Sequence, residues 1–322
     1  MNDWKRMLKA DPTQWLLEPD CSPVRYWTLV DMVNRPADDP AVRAAQAAIP
    51  AYPPVVELLA AQDPEGYWTQ RNYYLPRTSR GTFWVLSVLG DLGLTAEEEH
   101  VRRGCDFMFT HQRASGAFCR RQRVSGRGIV WQEDTEPCTH ARVVRFLIQF
   151  GYAQDPRVRK AIGWLLPLQR DDGMWLCRGA GDRGCLRATI DVLRVAALDP
   201  QTAVEPGIDR AAAAVCNLLM EARMSRYHVG EAWGTWRCLK YPYFGFSVIS
   251  ALDALARLGY AVEQPVVAAA VEYLLSRQLP DGSWPMDESW PNPPIDFGQP
   301  GQPNKWLTLD ALRVVKLLYS QH

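Results

Sequence analysis

Two short stretches hold side chains whose types and spacing could do chemistry. They are Glu133-Asp134-Thr135-Glu136-Pro137-Cys138-Thr139-His140 and Cys177-Arg178-Gly179-Ala180-Gly181-Asp182-Arg183-Gly184-Cys185. Thiolates and imidazole are soft donors, so Cys138, His140, Cys177 and Cys185 could supply the four ligands of one tetrahedral zinc if the fold brings the two stretches together. Such a site is structural when four protein ligands close it and catalytic when one position stays open. The spacing of Cys177 and Cys185 is not that of a zinc finger, and the alternative is separate core thiols with a hydrogen-bonded loop histidine. The acidic run before Pro137 also has a plain role, as carboxylates set against the dipole of the helix that follows.

The elements that must position these residues come from a repeat. Gln62-Asp63-Pro64-Glu65-Gly66-Tyr67-Trp68, Gln112-Arg113-Ala114-Ser115-Gly116-Ala117-Phe118, Gln169-Arg170-Asp171-Asp172-Gly173-Met174-Trp175 and Gln278-Leu279-Pro280-Asp281-Gly282-Ser283-Trp284 share a glutamine, a glycine and an aromatic. The glutamines are separated by 50 (62 to 112), 57 (112 to 169) and 109 (169 to 278) residues, and the last gap is close to twice the others. A degenerate unit is therefore expected near Glu221, with Trp233-Gly234-Thr235-Trp236 as its remnant. Repeats of this length are supersecondary units that bury their apolar faces against their neighbours. Glutamine ties helix ends, glycine makes the turn, and the aromatic packs over the next unit.

Between these segments apolar residues recur at three and four, as in Val143, Val144, Phe146, Leu147 and Phe150, so the chain reads as helices. Inner helices are expected at about 22 to 34, 79 to 93, 138 to 151, 185 to 198, 243 to 259 and 305 to 320. Outer helices are expected near 40 to 61, 95 to 112, 156 to 169, 206 to 222 and 264 to 278, with 2 to 17 as a sixth. Pro50, Pro53 and Pro54 should break the first of them. Strand signals are weak. The fold expected is all-α, an alpha/alpha toroid: a double ring of about six helical hairpins forming one domain over 1–322.

Composition narrows the class of function. Lys plus Arg and Asp plus Glu are both 36, so no net field draws the chain to nucleic acid. The N-terminal Met1-Asn2-Asp3-Trp4-Lys5-Arg6 is charged, and no stretch has membrane-spanning length, which points to a cytoplasmic protein with its cysteines reduced.

The segments at 169 to 175 and 278 to 284 resemble the glutamine-tryptophan repeats of squalene-hopene cyclases and of protein prenyltransferase beta subunits. As a repeat pattern the resemblance extends across nearly the whole chain, which is most similar to short bacterial prenyltransferase and squalene-oxidase repeat proteins. It implies a central cavity lined by inner helices, with catalytic groups at their N-termini. Glu136-Pro137-Cys138 resembles the acidic-x-Cys zinc pair of prenyltransferases, with glutamate in place of their aspartate. Glu133-Asp134-Thr135-Glu136 resembles the Asp-x-Asp-Asp acid motif of class II cyclases, which makes Asp134 or Glu136 the acid that protonates an alkene. Trp84, Trp131, Trp236, Tyr243, Phe244 and Trp306, near inner-helix starts, become candidates for an isoprenoid-binding wall, since aromatic faces also stabilise carbocations. Arg77, Arg80, Arg183, Arg187 and Lys305, at the same helix starts, could hold a diphosphate or form salt bridges.

The function expected is thus an enzyme of the terpenoid cyclase or prenyltransferase type, acting on an isoprenoid or other apolar substrate, with zinc as its cofactor. The alternative is a non-catalytic toroid that binds a lipid or a protein partner, with a structural zinc or none. A central cavity filled by its own side chains, or too small for a ten-carbon chain, would favour that alternative. Glycan hydrolysis would need two opposed carboxylates, and the sequence singles out no such pair.

Overall fold

The computed structural model describes residues 4–74, 79–124, 126–133, 136–177, 184–219, 237–242, 247–260 and 262–320. A 3-10 turn at Trp4–Met7 leads to α1 (Thr13–Leu16) and α2 (Ser22–Trp27), which runs on as a π-helical turn, Thr28–Met32. There follow α3 (Pro40–Ala47), α4 (Pro53–Ala60), α5 (Thr82–Leu92) and α6 (Glu99–Phe109). Strands β1 (Cys119–Val124) and β2 (Gly128–Glu133) precede α7 (Pro137–Leu147), α8 (Pro156–Leu165), α9 (Leu186–Ala196), α10 (Pro200–Ala203) and α11 (Pro206–Leu219). The two-residue strand β3 (Lys240–Tyr241), α12 (Val248–Arg257), α13 (Pro265–Ser276), the two-residue strand β4 (Glu288–Ser289) and α14 (Lys305–Tyr319) complete the order.

Helix α5 packs on α7, α7 on α9, α9 on α12, α12 on α14, and α14 on α2. The Trp27 indole N–H closes the circle by donating to the Asp91 carbonyl at 3.1 Å. Outside, α6 lies on α5, α8 on α7, α11 on α9 and α13 on α12. This is the double ring that the periodicity predicts, and α3 and α4 are the two pieces into which the prolines divide the first outer helix. Aspartates cap α3, α8 and α10, with Asp39, Asp155 and Asp199 accepting from the backbone N–H of Ala41, Arg157 and Thr202.

The repeat residues act as fasteners between consecutive hairpins. Each glutamine amide donates to the carbonyl of its own turn glycine and to the start of the next outer element: Gln62 to Gly66 and His100, Gln112 to Gly116 and Arg157, Gln169 to Gly173 and Gly207. Gln278 donates to Gly282 at 2.8 Å and to Ala10 at 3.0 Å, tying the last hairpin to the N-terminal segment and closing the ring. The turn glycine at 282 has φ 89°, and a Cβ there would lie 2.5 Å from the Ala10 carbonyl oxygen, so the backbones approach too closely for a side chain. The tryptophans at 68, 175 and 284 each donate through the indole to a carbonyl ten residues earlier.

The hairpin of β1 and β2 is an element that the weak strand signals do not predict. Its second strand is exposed at all but one position, so neither face carries the apolar alternation that marks a half-buried strand. Gly126 and Gly128, at φ 74° and 73°, make the reversal between the strands.

Candidate active site

Residues spaced three or four apart on the inner helices face the axis of the ring, and their chemistry changes from one end to the other. The N-terminal ends of the inner helices carry Cys138 on α7, Arg187 on α9, Trp84 on α5 and Trp306 on α14. One turn further in, Arg142 of α7 donates to both oxygens of Asp191 on α9, at 3.0 and 3.2 Å, with both side chains almost fully buried. From the middle of the inner helices to their C-terminal ends, Asp31, Asp91, Asp253 and Asp310 line, with Arg145, Arg194, Arg257 and Arg313, a cavity of about 190 Å³.

That inner network links neighbouring helices. Arg145 pairs with Asp91 across α7 and α5, and Arg313 bridges Asp31 at 2.7 Å and Asp310 at 2.6 Å. Burial pushes the Asp91 carboxyl up, but the Arg145 and Arg194 charges outweigh it and hold Asp91 below the usual range. Asp310 goes the other way. Burial, with Asp253 and Asp91 nearby, raises it above the usual range despite Arg313. The sequence signal for this network was available, since Asp91, Arg145, Arg194, Asp253, Asp310 and Arg313 stand within apolar runs of predicted inner helices.

The mouth at the N-terminal ends has a different chemistry. Tyr74 packs on Phe83 and Trp84, with ring centroids 5.2 and 5.7 Å away, and Trp290 lies 5.9 Å from Trp84. The Trp290 indole donates to the Ser79 hydroxyl at 2.6 Å, so the segment before α14 reaches across to α5. Arg120 of β1 lies 4.3 Å over the Tyr74 ring. Arg187 lies in the field of Cys138, Tyr74, Asp191 and Cys185, which outweighs burial and raises its pKa. Glu136, partly buried, is the N-cap residue of α7, and its side chain makes no capping bond. Trp306 belongs to a second aromatic group, stacked on Tyr241 at 5.5 Å and edge-on to Phe297.

Not every predicted site residue comes to this mouth. Trp131 stands exposed on the hairpin, its ring 5.0 Å from His111, and does not join the Trp84 wall. Asp134, Trp236, Tyr243 and Phe244, and the degenerate repeat near Glu221, lie outside the described residues, as do Arg77 and Arg183. Lys305 is held in salt bridges with Glu18 and Asp20.

The four expected zinc ligands do not assemble. His140 is turned toward the outer ring, where its Nε2 accepts from the Phe118 backbone N–H at 2.8 Å and its ring stacks on Trp164 of α8 at 4.0 Å. In the other repeats the same bond is made by a threonine hydroxyl: Thr82 to Trp68, Thr189 to Trp175 and Thr308 to Trp284. His140 therefore takes the repeat's threonine position, and burial lowers its pKa to about 3, keeping the imidazole neutral. Cys177 and Cys185 do meet, with Sγ atoms 2.9 Å apart. Cys138 lies near them, its thiol pushed up to about 11 by burial. Among the described residues no group of three or more His, Cys, Asp or Glu side chains is arranged to hold a metal ion. The side chains as placed do not fit the tetrahedral zinc expected from the sequence.

No protein-family model and no curated protein matches the chain. Solved structures that follow its course include a protein from Actinoplanes, 20% identical, with 93% of this chain and 90% of that one covered and a TM-score of 0.44. A variant of the type II terpene cyclase MstE from Scytonema, in complex with its substrate geranylgeranyl dihydroxybenzoate, is 18% identical over 94% of this chain and 88% of that one, with a TM-score of 0.49. Another MstE variant, in complex with the product merosterolic acid A, is 16% identical over 94% and 87%, with a TM-score of 0.47. Likenesses this distant carry no assignment of activity. No helix among the described residues is long and apolar enough to cross a membrane.

Proposed function

We propose that the chain is an enzyme acting on an isoprenoid or similar apolar substrate with an anionic head, bound at the N-terminal mouth of the inner ring. The observation that carries this reading is a cluster at the N-terminal ends of the inner helices, where the rings of Tyr74, Trp84 and Trp290 meet the cations Arg120 and Arg187, with Trp84 and Arg120 buried at its base. Aromatic faces suit a polyprenyl chain or a carbocation, and guanidinium groups suit a phosphate or carboxylate head. Glu136, at the start of α7, is the acid-base candidate at this mouth; Asp134, expected from the sequence for the same role, lies outside the described residues.

A second reading, a non-catalytic binding toroid, draws support from the opposite end of the axis. The cavity there is charged, and at about 190 Å³ it is smaller than the ~300–1,000 Å³ of a typical small-molecule site. It is unsuited to an apolar chain.

Titration with geranylgeranyl diphosphate, geranylgeraniol and inorganic diphosphate, followed by tryptophan fluorescence and by mass spectrometry of the organic phase, separates the two readings. The enzyme reading expects the diphosphate ester to bind more tightly than either fragment and to be converted. Binding without conversion supports the second reading. No binding of any of the three refutes a mouth built for an anionic isoprenoid.

A further inference from the structure

The Cys177 and Cys185 sulfurs are 2.9 Å apart, inside ordinary sulfur–sulfur contact and about 0.9 Å beyond a covalent disulfide bond. The repeat scaffold sets this approach independently of the thiols. The Cys185 backbone N–H donates to the Trp175 carbonyl at 2.7 Å, and the Thr189 N–H donates to the Cys185 carbonyl. The Thr189 hydroxyl in turn accepts from the Trp175 N–H at 3.3 Å. Residues 175 and 185 are thereby fastened together, and Cys177, two residues beyond Trp175, is brought to the sulfur at 185. Cys177 is the more exposed partner, and Cys185 is 2% exposed. Cys177 is therefore the more accessible of the two to a reagent from solvent.

We propose that Cys177 and Cys185 are a redox-active dithiol at the mouth of the inner ring, oxidised by low-molecular-weight disulfides. In the first step the Cys177 thiolate attacks one sulfur of oxidised glutathione, breaks its S–S bond and releases one glutathione thiolate, which takes up a proton. Cys185 then loses its proton, attacks the Cys177 sulfur and expels the second glutathione. Two protein thiols and one glutathione disulfide become one protein disulfide and two glutathione thiols, with two electrons passing to glutathione. The entry thiol needs access and the resolving thiol needs proximity, and each of this pair meets one requirement.

The test uses the intact protein equilibrated in glutathione buffers of varied ratio, quenched with N-ethylmaleimide and digested with trypsin. Cleavage after Arg170, Arg178, Arg183 and Arg187 places Cys177 and Cys185 in separate peptides, 171–178 and 184–187. Oxidising buffer is expected to join these peptides, two hydrogen atoms lighter than their sum, and excess reduced glutathione to separate them again. Cys185→Ser should instead accumulate glutathione on Cys177, whereas Cys138→Ser should leave the 177–185 link unchanged. The proposal is overturned if the wild-type protein keeps both residues alkylated in oxidising buffer. It is equally overturned by a stable glutathione adduct on Cys177 of the wild-type protein, or by a link there from Cys177 to Cys138. The wild-type peptide map decides the matter even if a variant fails to fold.

Discussion

His140 offers the sharpest test of how the ring is built, because three readouts follow from one side chain. It is fully buried, accepts from the Phe118 N–H and stacks on Trp164. Threonine at 140 keeps an acceptor of the kind that Thr82, Thr189 and Thr308 provide, so His140→Thr should lose only the stack and some packing, about 1–2 kcal/mol. His140→Val also strands the buried Phe118 N–H, which adds about 1–3 kcal/mol. The third readout is pH. The unfolded histidine takes up a proton below 6.5, while the folded one stays neutral down to about 3, so the unfolded state binds more protons and stability falls as pH drops through this window. At pH 5 the 1.5-unit gap below the unfolded value is worth about 2 kcal/mol. His111, also depressed by burial, contributes alike to both proteins and cancels in their comparison. Urea unfolding at pH 7.5 and 5.0 should show wild type losing about 2 kcal/mol more than His140→Thr between the two. Equal losses would refute the buried neutral histidine, and equal stability of the Thr and Val variants would refute the acceptor role.

Gln278→Ala removes the bonds to Ala10, Gly282 and the Lys9 N–H that close the ring, and should cost about 2–4 kcal/mol in urea unfolding. In the axial network, Asp91→Asn leaves Arg145 without its carboxylate and should cost about 3–5 kcal/mol. Asp310→Asn should cost less by the same assay, because burial and the neighbouring carboxylates already disfavour a charged carboxyl at this site. At the mouth, Trp84→Ala should weaken geranylgeranyl diphosphate binding by about tenfold in a fluorescence titration. Glu136→Gln should leave binding unchanged and lower turnover about 100-fold, measured as product by mass spectrometry.

The sequence alone determined the ring. Its helices carry a 3.6-residue apolar period, and its turns carry glutamine, glycine and aromatic at fixed offsets, so local propensity and repeat spacing suffice to set hairpin after hairpin. The same reading missed the exposed hairpin of β1 and β2, which buries no alternating face. It also grouped His140 with three cysteines, because residues near in sequence or alike in chemistry say nothing of which side of a helix they occupy. Only the tertiary structure decided that His140 faces outward into a threonine's position, that Cys177 meets Cys185, and that Asp91, Arg145 and Arg313 fill the far end of the axis. These outcomes depend on the angular position of each side chain around its helix and on which helix lies opposite. Both are fixed when the ring closes through Trp27 and Gln278, contacts that span 64 and 268 residues of chain.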